Sequence, residues 1–202
     1  MKNLILILII VAFISCKDKS DRVVIRNSGD AEILFYKNKG FTDSIASITF
    51  DKALDQIRNK EFKKAKKLLS KANEIEPDNK IILNGLGNVE SDLKNFDKAY
   101  EYFEQALEVD NNFGITYLNY GTAFNKNSEE HKAIDILTKG VEIEKNETRK
   151  GYFYYTIADA YYDIKNYEKA YLYNTKALNI VMEPEVRKDL IELRDLIAER
   201  KE

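Results

Sequence analysis

Apolar residues recur along most of this chain at helical spacing rather than strand spacing. From Thr42 or Asp43, either of which suits a helix N-cap, Ile45, Ile48, Ala53 and Ile57 fall on one face of a first helix. Phe62, Ala65, Leu68, Leu69 and Ala72 mark a second, and Pro77 closes it by removing a backbone donor and crowding the preceding turn. The cleanest pair follows, one helix over about 80–93 with Leu83, Leu86 and Gly87, and one over about 96–109 with Ala99, Phe103 and Ala106. Tyr117, Tyr120, Gly121 and Phe124, then Ala133, Leu137 and Gly140, predict a third pair. Extra residues around 146–150 lengthen the next turn before Tyr154, Ile157, Ala158 and Tyr161, then Ala170 and Ala177. Pro184 suits a first helical turn and opens a last helix to about residue 200. Its stripe is Val186, Leu190, Leu193 and Ile197, with Arg187, Lys188, Glu192 and Arg194 expected in water.

The pattern repeats. Ala65, Ala99 and Ala133 lie 34 residues apart and Ala170 follows 37 later. Leu69, Phe103 and Leu137 come four positions after the first three, and Ala72, Ala106, Gly140 and Ala177 seven after all four. A period in this range marks a stacked-repeat architecture, in which small residues let paired helices approach and large ones fill the space beside them. These residues resemble the tetratricopeptide repeat (TPR) family over roughly residues 43–182. The resemblance implies an all-α, right-handed solenoid of about four helix-turn-helix repeats, over about 43–79, 80–113, 114–147 and 148–182. The helix at 183–202 is then the cap that a terminal repeat needs for its exposed face. Departures from the family pattern are Thr49, Lys52 and Gln56 at apolar positions, Glu90 and Asn174 at aromatic ones, Gly140 for alanine, and Asn111 and Lys145 for proline.

The N-terminus has another character. A basic start at Lys2 precedes an apolar run from Leu4 to Ile14, which is too short to cross a hydrocarbon core of about 30 Å and suits a secretory signal over 1–15. The single cysteine, Cys16, comes directly after it in Phe13-Ile14-Ser15-Cys16. This segment resembles the lipobox of bacterial lipoproteins, which implies lipidation of Cys16 and a membrane anchor of several acyl chains. Lys17 stands where an aspartate holds some lipoproteins in the inner membrane, so the resemblance favours the outer membrane, on its periplasmic or surface face. Residues 16–41 read as an irregular tether. Within it, Val23-Val24-Ile25 and Ile33-Leu34-Phe35-Tyr36 flank the turn-forming Asn27-Ser28-Gly29-Asp30 and suit a hairpin, while Asp30 equally suits the cap of a short helix closed at Gly40.

Charge narrows the function. Acids and bases nearly cancel, at a formal net charge of −2, so the basic footprint of a nucleic-acid binder is missing. His131, the only histidine, lies in the polar stretch Asn127–Lys132 and reads as a surface residue. With Cys16 acylated, a metal site would rest on carboxylates against the usual ligand preference. Neither a phosphate loop nor a nucleophile elbow occurs. We therefore expect no enzyme, cofactor, metal or small-molecule substrate.

Helical geometry leaves a second stripe on each first helix of a repeat. It comprises Ile81, Asn84, Asn88 and Ser91, then Ile115, Leu118, Thr122 and Asn125, then Tyr152, Tyr155, Asp159 and Tyr162, with Asn119 beside it. The resemblance places these positions on a concave groove that binds an extended or helical protein segment. Asparagine both donates to and accepts from a peptide backbone, and tyrosine gives rigid area with a polar tip. Phe50, Leu54, Asn84, Asn88, Ile115 and Asn119 replace the basic residues that family members use to clamp a chaperone's C-terminal carboxylate, which argues against that ligand. The expected function is a non-enzymatic interaction scaffold of the bacterial envelope. The alternative is an accessory subunit docking an envelope enzyme or an assembly or secretion complex.

Overall fold

In the computed structural model, residues 21–25, 33–37, 40–181 and 183–200 are described. The signal segment and Cys16 lie outside them. Two strands, β1 (Asp21–Ile25) and β2 (Ile33–Lys37), pair antiparallel with Asp21 opposite Lys37 and Ile25 opposite Ile33. Of the two conformations open to residues 16–41, this is the hairpin, so the segment is not irregular throughout. Helices follow in pairs: α1 (Ser44–Arg58) with α2 (Phe62–Ile75), α3 (Lys80–Asp92) with α4 (Phe96–Val109), α5 (Gly114–Lys126) with α6 (Glu130–Ile143), and α7 (Glu147–Asp163) with α8 (Tyr167–Leu178). A single helix, α9 (Pro184–Arg200), closes the stack. From Ser44 to Arg200 the chain forms the expected helical solenoid of four pairs and a cap.

The period is written into the backbone as well as the core. Lys60, Lys94, Ser128 and Lys165 each take a left-handed φ, between 57° and 62°, in the turn inside a repeat. One residue later, the N–H groups of Glu61, Asn95, Glu129 and Asn166 donate to the carbonyls of Gln56, Glu90, Phe124 and Tyr161. This is the Schellman closure of a helix, which satisfies end carbonyls that would otherwise stay unpaired. Asp43, Asn79, Asn146 and Asn166 cap the following helices by accepting backbone N–H bonds through their side chains.

Small residues set the spacing within and between pairs. A Cβ at Gly87 would lie 2.5 Å from Phe103 Cε1, and one at Gly121 would lie 2.3 Å from Leu137 Cγ. Gly140, the departure from alanine, has a partner: Phe153 Cε1 would sit 2.2 Å from an added Cβ, so the ring of the next repeat occupies the methyl's place. The polar departures are accounted for in the same way. Glu90, 1% exposed, meets Lys66 Nζ at 2.6 Å and accepts from Asn95 Nδ2 at 2.8 Å, so a buried carboxylate ties α3 to α2. Asn174, fully buried, donates to the Leu190 carbonyl of α9 at 2.9 Å, and thus holds the cap. Arg187, expected in water, is partly buried and donates to the Leu178 and Val181 carbonyls at 2.6 and 3.0 Å. A charged donor on end carbonyls of α8 suits the negative end of that helix.

Candidate protein-interaction face

The residues expected on the stripe differ in exposure. In the second repeat every one of its positions is buried: Ile81, Asn84, Asn88 and Ser91. In the third, Ile115, Leu118 and Asn119 are buried, while Thr122 and Asn125 are half-buried. In the fourth, Tyr152 is buried, Tyr155 and Tyr162 are half-buried, and Asp159 is exposed. Access thus increases from the first helices toward the last.

Several polar groups expected to meet a partner are already engaged within the fold. Asn119 Nδ2 donates to Asn84 Oδ1 at 3.1 Å. Asn125 Nδ2 donates to the Thr156 carbonyl at 3.1 Å, joining α5 to α7. The Thr122 hydroxyl donates back to the Leu118 carbonyl one turn earlier, at 2.8 Å. Tyr162 packs on Tyr167 of α8, with ring centroids 5.7 Å apart. Tyr152 belongs to the core with Phe153 and Ile157, which corrects its expected groove exposure. The physical reason is the close approach of successive first helices: a stripe three or four residues wide leaves its inner edge facing the next repeat rather than water.

Free hydrogen-bonding capacity remains at three places. Asn88 Nδ2 and Asn125 Oδ1 are buried atoms without a partner, an arrangement that costs roughly 1–3 kcal/mol per group until one is supplied. Asp159 is open to water at its edge, yet protein surrounds much of it. Incomplete hydration, and then the neighbouring Asp163 carboxylate, push its pKa up to about 6. Asp163 is itself raised by burial and then by Glu130. Asp159 and Asp163 therefore form a negative pair on α7, a setting that favours a nearby cation. The sequence places Asp159 on the stripe but not its raised pKa, which depends on how protein and Asp163 surround it in the fold.

Among the described residues no group of His, Cys, Asp and Glu is placed to hold a metal ion, and no helix is long and apolar enough to cross a membrane. His131 is exposed.

The helix pairs, their period and this face define a tetratricopeptide-repeat solenoid, an architecture that generally serves as a non-enzymatic protein-interaction scaffold. The Tetratricopeptide repeat family matches residues 81–113, the second helix pair. Over 101 residues the chain is 30% identical to the mitochondrial import receptor subunit TOM70 of Rattus norvegicus and 29% identical to that of Homo sapiens. That alignment spans 50% of this chain and only 16% of those relatives. Among solved structures, Pseudomonas aeruginosa PilF has the same fold at a TM-score of 0.71 and 17% identity, covering 79% of this chain and 70% of its own. PilW, described as a widely conserved type IV pilus biogenesis factor, matches at 0.64 and 16% identity, covering 79% and 77%.

Proposed function

We propose that the protein is a lipid-anchored scaffold of the bacterial cell envelope, held at the outer membrane through Cys16, which binds a segment of a partner protein on its concave face. The observation that carries the binding half is the pairing of unsatisfied donors and acceptors at Asn88 and Asn125 with the uncompensated carboxylate of Asp159 along one face. A segment with backbone groups to offer and a lysine or arginine at its far end fits that sequence of sites. The anchoring half is supported by the apolar run ending at the chain's only cysteine. A similar fold in a pilus biogenesis factor, and a partial sequence similarity to an import receptor subunit, are consistent with a role in handling other proteins.

The test is affinity capture from solubilised envelopes with the full chain and with an Asn88→Ala/Asp159→Lys variant, both checked for helicity by circular dichroism. A partner held by the first and lost by the second supports the concave site. Equal retention removes it. Tyr171 and Leu172 favour a second reading, the accessory subunit, because they stand exposed side by side on α8, at 45% and 51%. Retention lost only with Tyr171→Glu/Leu172→Glu would move the docking surface there. For the anchor, Cys16→Ser is expected to release the protein from membranes and to remove the lipid mass. A variant that stays membrane-bound at unchanged mass refutes it.

A further inference from the structure

The chain enters the solenoid against the start of α3. Glu76 accepts from the backbone N–H of Thr42 at 3.0 Å through Oε1 and of Asp43 at 3.0 Å through Oε2. Asn79 Nδ2 donates to the Gly40 carbonyl at 2.7 Å, and to Glu76 as well. Gly40 has φ +99°, and a Cβ there would lie 2.8 Å from Ile81 Cδ1, so a side chain is excluded on both grounds. Phe41 packs on Phe50 with ring centroids 5.2 Å apart. Residues 40–43 are thus pinned beside Ile81 and Phe50, two of the residues assigned to the concave region. β2 ends three residues before Gly40, a reach of no more than about 10 Å in extended chain. It lies against α3.

Two further observations agree. All residues of α3 from Ile81 to Ser91 are buried, with α2, α4 and α5 around it, Phe50 of α1 against Gly85, and β2 against it as well. At two sets of equivalent positions access grows with distance from the entry point, from buried Asn88 to half-buried Thr122 to exposed Asp159, and from buried Ser91 to half-buried Asn125 and Tyr162. The hairpin also needs such a surface. A lone two-stranded hairpin is marginal in water, and this one carries Val23, Val24, Ile25, Ile33, Leu34 and Phe35.

We infer that the β1–β2 hairpin is the concave face's own occupant, laid over α3, and that an outside segment binds the first half of the groove only in exchange with it. The exchange rests on the concave face being the partner site; the docking of the hairpin does not.

Docking is tested in the full chain in detergent, with p-benzoylphenylalanine at position 34 or, separately, at 35. Adjacent strand residues point to opposite sides, so one of the two must face the solenoid if the hairpin is docked. Illumination is expected to link one of them to a peptide within α3 or α5. Linkage from neither, or only to α6 or α8, overturns the docking. Exchange is tested with a dye-labelled synthetic peptide of residues 21–37 as the probe. A tethered competitor has an effective concentration near the millimolar range, so deleting 21–37 is expected to tighten peptide binding by at least about tenfold relative to the full chain. Leu34→Asp in the intact chain is expected to tighten it in the same direction, which guards against misfolding of the deletion. Equal affinity for all three, or no binding to a helical deletion variant, overturns the exchange. Because no partner enters the cross-linking, its failure and a failed envelope capture remain separate results.

Discussion

Asn119 Nδ2 donates to Asn84 Oδ1 at 3.1 Å, joining α5 to α3 through two side chains that are 4% and 2% exposed. A buried amide left without its partner costs about 1–3 kcal/mol, more than the net value of the bond itself. Asn84→Ala and Asn119→Ala are therefore each expected to lower the unfolding free energy by about 1–2 kcal/mol. The double variant is expected to lose less than their sum, since it strands neither group. Urea unfolding of the four proteins checks this, and strict additivity would refute the pairing. It follows that loss of partner binding in an Asn84 variant does not by itself identify a contact with the partner.

Gly140 and Phe153 make a second coupled pair. An alanine at 140 gains helix propensity of about 1 kcal/mol over glycine but must displace a ring whose Cε1 lies 2.2 Å from the new methyl. Ring displacement from a fully buried site of this kind costs about 1–3 kcal/mol, so Gly140→Ala is expected to be neutral to destabilising by about 2 kcal/mol. In a Phe153→Leu background the same change is expected to cost less, because the ring contact is gone while the approach of Tyr117 Cβ, 2.7 Å from the new methyl, remains. Thermal unfolding of both backgrounds decides; an equal cost in each would sink the explanation.

The sequence made the helices and the repeat legible because burial there obeys a strict period: Ala99, Phe103 and Ala106 lie fully buried where their spacing puts them. Glu90, Gly140 and Asn174 looked like weak points because a repeat pattern is read one position at a time. Each turned out to be matched by a residue in another helix, Lys66, Phe153 or the Leu190 carbonyl. The site was less legible for a related reason. Helical geometry assigns Asn84 and Tyr152 to a stripe, but whether a stripe sees water depends on how closely the next repeat approaches. No local pattern carries that distance. His131 was readable because an exposed side chain in a polar turn needs no such information.

The turns inside the repeats offer a test of backbone strain. Lys94 holds φ 62° and is exposed, with the Schellman bond from Asn95 N–H to the Glu90 carbonyl fixing that conformation. A non-glycine residue pays roughly 1 kcal/mol for the left-handed region. Lys94→Gly removes that cost but enlarges the entropy of the unfolded chain, so the expected gain is about 0.5 kcal/mol. A rise in the denaturation midpoint supports the assignment. A loss larger than about 1 kcal/mol would mean that the lysine side chain itself stabilises the turn.

Asp159 links stability to pH with a definite sign. Its folded pKa of about 6 lies above the ordinary value of 3.8, so the fold prefers the protonated acid. Below about pH 4 the group is protonated in both states and contributes no pH-dependent difference. As pH rises from about 4 to 6 the unfolded chain ionises first, stability falls, and above about 6 the fold carries the full penalty. Asp163, raised in the same direction by burial and by Glu130, deepens the effect. Asp159→Asn should thus match the parent near pH 3.5 and exceed it near pH 8 in urea midpoint, with the difference opening across the intervening window. A pH-independent difference would show that Asp159 is fully hydrated. The same titration bears on recognition. A segment that sets a lysine or arginine beside Asp159 stabilises its ionised form, so binding of that segment is expected to weaken as pH falls below about 6 and to lose this dependence in the asparagine variant.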